Sequence, residues 1–168
     1  MFQPRAVLPV VVLLTACAGE EAYRPLRAGD EAPAYAAPTL DGDTVALAGL
    51  RGRPVLLNVW ATWCAPCREE MPGLQALHER YAARGLHVIG ASIDARGAES
   101  AVRRFVQDYG ITFTILHDVS ELVSHRFRTR SVPETFLIGA DGRIVQRWIG
   151  RIDPLSADVL ARVEAALE

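Results

Sequence analysis

Apolar and polar positions recur with different periods along the chain, and these periods predict its elements. Residues 54–60 are almost all apolar, which is typical of a strand buried on both faces of a parallel sheet. Apolar side chains then recur at helical spacing from Met71 to Tyr81, and Gly85 is a natural end for this helix. Further strands are predicted at residues 86–93, 112–116, 135–138 and 143–149, and further helices at 99–109, 120–127 and 154–167. Strands that alternate with helices predict an α/β fold, with a central mixed sheet and helices on both faces.

Turn-forming residues join two pairs of strands into hairpins. An Asp-Gly-Asp run at 41–43 lies between two short strand-like stretches and predicts an N-terminal β-hairpin. Asp-Gly at 141–142 joins the last two strands in the same way. Ser120 opens the third predicted helix, where serine is a favoured N-cap. We also expect a central βα insertion before the final hairpin.

The first sixteen residues have the pattern of an export signal. Arg5 supplies a positive charge, residues 6–14 form an apolar run, and a small residue stands directly before Cys17. The run is well short of the roughly 20 residues that cross a bilayer, and Pro9 interrupts it, which disfavours a core helix or an uncleaved anchor. Leu-Thr-Ala-Cys at 14–17 resembles a bacterial lipobox. The resemblance implies cleavage before Cys17 and attachment of lipid to its sulfur.

A polar segment separates Cys17 from the folded part. Residues 18–33 contain hardly any large apolar side chain, which predicts a flexible tether. We therefore expect a signal peptide at residues 1–16, a lipidated Cys17 with its tether at 17–33, and one domain at 34–168. This organisation predicts a lipoprotein anchored to the bilayer through Cys17. Such a protein acts outside the cytoplasm, on the periplasmic side, where disulfides persist.

Composition and charge narrow the range of functions. The chain has 168 residues, which allows one globular domain, and half of them are apolar, which is enough for a sizeable core. Basic residues number 18 and acidic residues 20, without a basic block, so nucleic-acid binding is disfavoured. Three cysteines are too few for a disulfide-rich scaffold.

A Cys-Ala-Pro-Cys motif stands where the buried strand passes into the first long helix. Unpaired N–H groups and the positive end of the helix dipole stabilise a thiolate at that position and lower the pKa of its thiol. Cys64, at the start of the helix, receives this effect and is open to solvent, whereas Cys67 lies one turn later and is more buried. We therefore expect Cys64 to attack a partner disulfide and Cys67 to resolve the mixed disulfide.

Three other interpretations of the motif are weaker. A structural zinc site needs four ligands, and with Cys17 lipidated the chain offers two thiols and four scattered histidines. Covalent haem attachment needs a histidine directly after the second cysteine, where Arg68 stands. A purely structural disulfide would close a very short loop and would stabilise the fold by about 2 kcal/mol. We therefore expect redox chemistry and no metal.

The residues around the motif resemble a known family. Leu-Leu-Asn-Val-Trp-Ala-Thr-Trp-Cys-Ala-Pro-Cys-Arg-Glu-Glu at 56–70 and Pro-Glu-Thr-Phe-Leu-Ile at 133–138 are similar to the TlpA/DsbE-like (ResA-like) branch of the thioredoxin superfamily. The resemblance implies a thioredoxin-like fold and an extracytoplasmic, membrane-tethered thiol-disulfide oxidoreductase. Such an enzyme reduces protein disulfides through its cysteine pair and needs no other cofactor. Several members serve cytochrome c maturation, so apocytochrome c is a candidate substrate and a membrane thiol protein the candidate electron donor.

The same resemblance assigns a substrate-binding surface. Pro133 matches the cis-proline of the family, which faces the cysteine pair and lets the backbone of Val132 hydrogen-bond a substrate chain. Trp63 and Pro66, beside the cysteines, belong to this surface. Pro72 matches a helix-kinking proline of the family, which we interpret as purely architectural.

Glu70 is the third candidate catalytic residue, with Cys64 and Cys67. It follows Cys67 by three residues, so both lie on one face of the helix, and Glu70 points inward if Cys67 does. A carboxyl group held away from water has a raised pKa and could pass the proton that Cys67 gains or loses. Cytoplasmic thioredoxins carry a buried aspartate where this chain has Asn58, whose amide cannot carry a proton. The alternative is that Glu70 is a surface charge of the helix.

Arg126, Arg128 and Arg130 lead into Val132. If this segment is extended, their side chains share one face and place positive charge near the thiolate, which could lower the pKa of Cys64 or steer an acidic partner. An ordinary solvated edge is the alternative. Family members devoted to cytochrome c maturation often have a glycine-rich segment directly before the cis-proline. In this chain the segment is Arg-Thr-Arg-Ser-Val, at residues 128–132, so the specific partner stays open.

Two other functions remain open for the same cysteines. A thiol peroxidase of the related peroxiredoxin-like group would need a Pro-x-x-x-Thr-x-x approach to Cys64, and no proline stands at the required place. A copper carrier could bind Cu(I) through Cys64, Cys67 and His125, because soft thiolates favour this ion. Insulin reduction, peroxide turnover and Cu(I) retention distinguish the three functions.

Overall fold

The computed structural model describes residues 24–168, so the predicted signal peptide, the lipobox and Cys17 lie outside the described residues. Each helix among residues 24–168 is too short or too polar to span a bilayer. The strands are β1 (Ala36–Pro38), β2 (Thr44–Ala46), β3 (Val55–Trp60), β4 (His87–Ser92), β5 (Thr114–His117), β6 (Glu134–Ile138) and β7 (Ile144–Ile149). The helices are α1 (Ala65–Tyr81), α2 (Glu99–Asp108), α3 (Leu122–Phe127) and α4 (Ala157–Ala166), with 3₁₀ turns at Leu47–Leu50 and Ala82–Arg84.

Five strands form the central sheet in the order β5-β4-β3-β6-β7, and β1 pairs with β2 in a separate antiparallel hairpin. Strands β3, β4 and β5 are parallel, whereas β6 is antiparallel to β3 and β7 is antiparallel to β6. The predicted thioredoxin-like α/β fold is confirmed. Because Val59 near the end of β3 pairs with Glu134 at the start of β6, the residues after β3 and before β6 meet at one edge of the sheet.

Side chains of the central sheet alternate between two apolar layers. Leu56 and Trp60 of β3 pack in a cluster with α1, α2 and α4, whereas Leu57 and Val59 pack with α3 and the N-terminal hairpin. Helices therefore cover both faces, as predicted. Every residue of β3 is buried, which explains why this strand is almost continuously apolar.

Helix α3 begins later than predicted, and Ser120 is not its N-cap. Glu121 occupies the N-cap position in a left-handed conformation, with φ 53°. The Asp118 carboxylate accepts a hydrogen bond from the Val123 N–H at 2.7 Å, and the Ser120 hydroxyl donates to the same carboxylate at 2.8 Å. A carboxylate accepts a stronger hydrogen bond from a helix N–H than a serine hydroxyl does. Asp118 therefore supports the helix start in place of Ser120.

Residues 24–33 pack against the domain and do not continue the predicted flexible tether. Leu26 is buried in the cluster that contains α3, and the Gly29 N–H donates to the Ile144 carbonyl at 2.8 Å. The domain boundary predicted at residue 34 therefore moves toward the N-terminus, at least to residue 24. The polar composition of the segment does not predict these contacts, because backbone groups make many of them.

Candidate active site

Cys64 lies between the end of β3 and the first turn of α1. It is the N-cap of α1, with an extended backbone (φ −86°, ψ 106°), and Pro66 lies in the first turn, where the missing N–H removes no helical hydrogen bond. The Cys67 N–H donates to Cys64 Sγ at 3.3 Å. The helix start therefore directs an N–H group and the positive end of its dipole at this sulfur, and both stabilise a thiolate.

The two cysteines form a disulfide in this structure, with 2.18 Å between the Sγ atoms. Cys67 is fully buried, and Cys64 exposes 5% of its surface. The predicted order of exposure is confirmed. Cys64 is nevertheless less open to solvent than expected, because it packs in the same apolar cluster as Trp60 and Ala61. Cys64 is thus the more accessible of the two sulfurs, and its role as the attacking residue stays a prediction.

Pro133 stands at the same edge of the sheet as the cysteines. The Val132–Pro133 peptide bond is cis, as the resemblance implies. Pro133 directly precedes β6, whose first residue, Glu134, pairs with Val59 near the end of β3. Val132 is half-buried and packs against the apolar cluster that contains both cysteines. The structure therefore brings residues 132–133 and the cysteine pair together.

Exposed side chains surround this edge. Trp63 exposes 67% of its surface, and Pro66 is exposed beside it. Ile149, which the sequence analysis did not single out, exposes 69% of its surface, and the N–H of the following residue, Gly150, donates to the Pro133 carbonyl at 2.9 Å. An open recess of about 310 Å³ adjoins the first turn of α1 and is lined by Ala65, Arg68, Glu69 and Tyr109.

Glu70 is buried on the inward face of α1, with 1% of its surface exposed. One carboxylate oxygen accepts from Asn58 Nδ2 at 2.7 Å, and the other accepts from the Ile152 N–H at 3.1 Å. Burial raises the pKa of Glu70 to about 7, against the opposing effects of these two hydrogen bonds and of the Arg151 charge. The inward orientation and the raised pKa are confirmed, and the surface-charge alternative is wrong. The proton-transfer role of Glu70 stays a prediction.

Asn58 orients the carboxylate of Glu70. Its Nδ2 donates to Glu70 and also to Thr135 Oγ1, at 3.0 Å, so one amide links β3, α1 and β6. The sequence alone indicates only that the amide of Asn58 cannot carry a proton. In the structure, Asn58 donates a hydrogen bond to Glu70, whose carboxyl group can carry a proton.

We expect Glu70→Gln to slow the exchange step at Cys67 by about 100-fold. With a pKa of about 7, Glu70 can both give and take a proton near neutral pH, whereas glutamine can do neither. Rapid mixing of the reduced protein with a disulfide substrate measures this rate. The wild-type rate should change with a midpoint near pH 7, and the variant should lack that midpoint.

The same substitution should change how stability depends on pH. The folded-state pKa of Glu70, about 7, lies above its usual value of 4.5, so the folded protein binds more protons than the unfolded chain between these values. The free energy of unfolding therefore falls as the pH rises through this window, and Glu70→Gln should flatten the fall. Glu69→Gln, an exposed neighbour on the same helix turn, is the control. Identical pH profiles for wild type and Glu70→Gln would contradict the assignment.

Arg126, Arg128 and Arg130 do not share one face of an extended segment. Arg126 lies in α3, and Arg128 follows in a left-handed conformation, with φ 57°. The Arg128 guanidinium donates to the Arg24 carbonyl at 2.6 Å. The extended arrangement is therefore wrong, and the proposed effect of three aligned charges on Cys64 loses its geometric basis.

Asp94 is a site residue that the sequence analysis missed. It lies just after β4, is buried, and accepts two hydrogen bonds from Thr62 in the loop before Cys64. The signal that could have found it is topological, because polar residues that follow neighbouring parallel strands meet at one edge of a sheet.

The described residues provide the groups that thiol-disulfide exchange needs. They are a dithiol whose first sulfur lies at a helix N-terminus, a buried carboxyl group that titrates near neutral pH, and a proline loop at the same edge. Among residues 24–168, no group of three or more His, Cys, Asp or Glu side chains is arranged to hold a metal ion. His125, the third copper ligand considered above, lies in α3.

Comparisons with known proteins agree with this geometry. The AhpC/TSA family model matches residues 28–147. The chain is 33% identical over 159 residues to a thiol-disulfide oxidoreductase ResA of Bacillus cereus, and the match covers 89% of this chain and 91% of that protein.

Solved structures are similar as well. A thiol:disulfide interchange protein of the thioredoxin family from Chlorobium tepidum TLS superposes with a TM-score of 0.70 at 27% identity, covering 87% of this chain and 99% of that one. A secreted thiol-disulfide isomerase from Corynebacterium glutamicum superposes with a TM-score of 0.71 at 26% identity, covering 80% of this chain and 84% of that one.

Proposed function

Because this chain belongs to the AhpC/TSA family and is a thiol-disulfide oxidoreductase of the ResA type, we propose that it reduces protein disulfides outside the cytoplasm while anchored to a membrane through Cys17. One observation carries the chemical part of this proposal. Cys64 caps α1 and is the more exposed member of a disulfide that lies at the same edge of the sheet as Pro133.

The reaction uses the dithiol form of the pair. The Cys64 thiolate attacks one sulfur of a substrate disulfide, forms a mixed disulfide, and releases the other substrate sulfur as a thiolate. The Cys67 thiolate then attacks Cys64 Sγ, which forms the Cys64–Cys67 disulfide and releases the second substrate thiolate. Two electrons pass to the substrate. Glu70 takes the proton that Cys67 loses, and a membrane dithiol donor reduces the pair again.

Support for the membrane anchor and the location comes from the N-terminal sequence. Residues 1–16 have the charge and the apolar run that are typical of an export signal, and residues 14–17 resemble a lipobox. The similar isomerase from Corynebacterium glutamicum is described as secreted, which fits a location where disulfides persist. Apocytochrome c is the first substrate to test, because several members of the family resembled here serve its maturation.

The proposed exchange reaction is tested with purified protein in three separate assays. We expect catalytic reduction of insulin in the presence of a small dithiol, without peroxide turnover or stoichiometric retention of Cu(I). Each alternative function predicts a different positive assay, because a peroxidase consumes peroxide and a carrier retains the metal ion. Peroxide turnover without disulfide exchange would overturn the proposed activity.

The anchor is tested separately from the chemistry. We expect the wild type to incorporate labelled fatty acid and to sediment with membranes, whereas Cys17→Ala should do neither and should keep its reductase activity. A wild-type protein without lipid, recovered from the cytoplasm, would refute the anchor and the location but not the exchange reaction.

A further inference from the structure

Asp94 makes a buried set of hydrogen bonds at the carboxyl edge of the central sheet. It exposes 2% of its surface. Its Oδ2 accepts from the Thr62 N–H at 3.0 Å, and its Oδ1 accepts from the Thr62 hydroxyl at 2.6 Å. The Ser92 hydroxyl also donates to Oδ2, at 2.7 Å. Both oxygens of the carboxylate are therefore occupied, and two of the three bonds come from one residue.

Thr62 belongs to the short loop that connects β3 with Cys64. Within this loop the Cys64 N–H donates to the Ala61 carbonyl at 3.2 Å. The two bonds from Thr62 to Asp94 tie the middle of the loop to the end of β4. Because Thr62 is two residues from Cys64, a movement of this loop moves the reactive sulfur with it.

Asp94 is itself fixed by two neighbouring strands. Its N–H donates to the Ser92 hydroxyl at 3.2 Å, and its carbonyl lies 3.1 Å from His117 Nε2 at the end of β5. The Ser92 carbonyl accepts from the Asp118 N–H at 2.8 Å. A carboxylate held in this way transmits the rigidity of the sheet to the loop.

We propose that Asp94 is a positioning residue for Cys64. It fixes Thr62, so that the Cys64 sulfur stays directed at the Cys67 N–H in the first turn of α1. Asp94 acts through Thr62 and is not a catalytic residue. The inference rests on the exchange reaction of the proposed function and adds a residue that determines how fast Cys64 attacks.

Loss of this contact has a specific consequence for the reduced protein. Without Asp94, the loop moves and the Cys64 thiolate loses part of the stabilisation that the helix N-terminus gives it. The pKa of the Cys64 thiol then rises, and a smaller fraction of it is thiolate at neutral pH. Removal of the Asp94 charge by itself would lower this pKa, so Thr62→Val, which leaves that charge in place, isolates the effect of position. A role confined to folding would lower the melting temperature and leave this titration unchanged.

The experiment measures insulin reduction and the pH dependence of Cys64 alkylation in the full-length protein. Asp94→Ala should lower kcat/KM by about tenfold and shift the alkylation midpoint to higher pH. Thr62→Val, which keeps the N–H and removes the hydroxyl, should change both in the same direction but less. The double variant should lose no more than Asp94→Ala alone, because the two residues act through one contact.

Two control variants distinguish the positioning role of Asp94 from the effect of its charge and from general destabilisation of the fold. Asp94→Asn keeps one acceptor oxygen, and its amide can donate to the Thr62 hydroxyl oxygen, so it should lose less activity than Asp94→Ala. Asp158→Ala, on the exposed face of α4, should behave as wild type.

Unchanged alkylation and kinetics in Asp94→Ala would overturn the inference. If Asp94→Ala does not fold, Thr62→Val provides the test. Alkylation of Cys64 in that variant with the same pH dependence as in the wild type would also overturn the inference. A wild-type protein without reductase activity would refute the proposed function instead, and the alkylation measurement would still test the role of Asp94.

Discussion

Replacing Cys64 by serine should abolish disulfide reduction, whereas replacing Cys67 by serine should trap the substrate. A serine hydroxyl is not ionised near neutral pH and cannot form a disulfide, so Cys64→Ser should lose at least about three orders of magnitude in kcat/KM. Cys67→Ser keeps the attacking sulfur but lacks the second thiolate, so the mixed disulfide accumulates. Insulin reduction measures the first effect, and non-reducing electrophoresis followed by mass spectrometry identifies the trapped partner.

The assignment of the two roles depends on the difference between the variants. Cys64 caps α1 and exposes 5% of its surface, whereas Cys67 exposes none, so the reverse pattern of trapping would contradict the assignment. Cys17→Ser is the matched control, because it removes the third cysteine of the chain and should trap nothing and keep full activity in solution. Recovery of apocytochrome c with Cys67→Ser would identify the substrate. Recovery of other proteins would leave the chemistry intact and change the partner.

Local patterns predicted the parts of the fold that local physics determines. The apolar run at residues 54–60 gives a strand that is buried throughout. The helical spacing from Met71 to Tyr81 gives α1, and Gly85, with φ 101°, ends the turn that follows it. The position of Cys64 at the helix N-terminus follows from these two elements alone. The inward orientation of Glu70 follows from the three-residue spacing to Cys67.

Contacts between distant parts of the chain could not be predicted from one sequence. Asp94 meets Thr62 only because β4 lies beside β3 in the sheet. Residues 24–33 look like a tether because they are polar, and their backbone hydrogen bonds to the final hairpin leave no trace in that composition. Both cases need the register of strands, which the hydrophobic pattern of single elements does not contain.

A buried ion pair next to Pro133 combines several such contacts. Glu134 and Arg147 form a salt bridge, and 1% and 10% of their side-chain surfaces are exposed. Arg147 also donates to the Leu26 carbonyl at 3.2 Å, and its guanidinium carbon lies 5.5 Å from the centroid of the Phe136 ring. One side chain therefore connects β7, β6 and the N-terminal segment behind the proline loop.

Arg147→Ala should lower the free energy of unfolding by about 3–5 kcal/mol. Removal of the guanidinium leaves the Glu134 carboxylate buried without its counter-charge and leaves the Leu26 carbonyl without this donor. The energetic cost comes mainly from the unpaired charge, so it should exceed that of an ordinary large-to-small substitution at a half-buried position. Urea denaturation measures the loss, with the slope of the unfolding transition unchanged if only stability is affected.

Two further variants show how much of the cost of Arg147→Ala comes from the unpaired Glu134 carboxylate and how much from the lost contacts of Arg147. Arg162→Ala breaks an exposed pair with Asp158 on α4 and should cost less than about 1 kcal/mol, because water screens that interaction. Arg147→Ala combined with Glu134→Gln should recover part of the lost stability, since the second substitution removes the unpaired charge. A cost for Arg147→Ala no larger than that for Arg162→Ala would show that the carboxylate finds another partner or enough water. Equal stability of the single and double variants would show that the lost contacts of Arg147, and not the charge of Glu134, determine the cost.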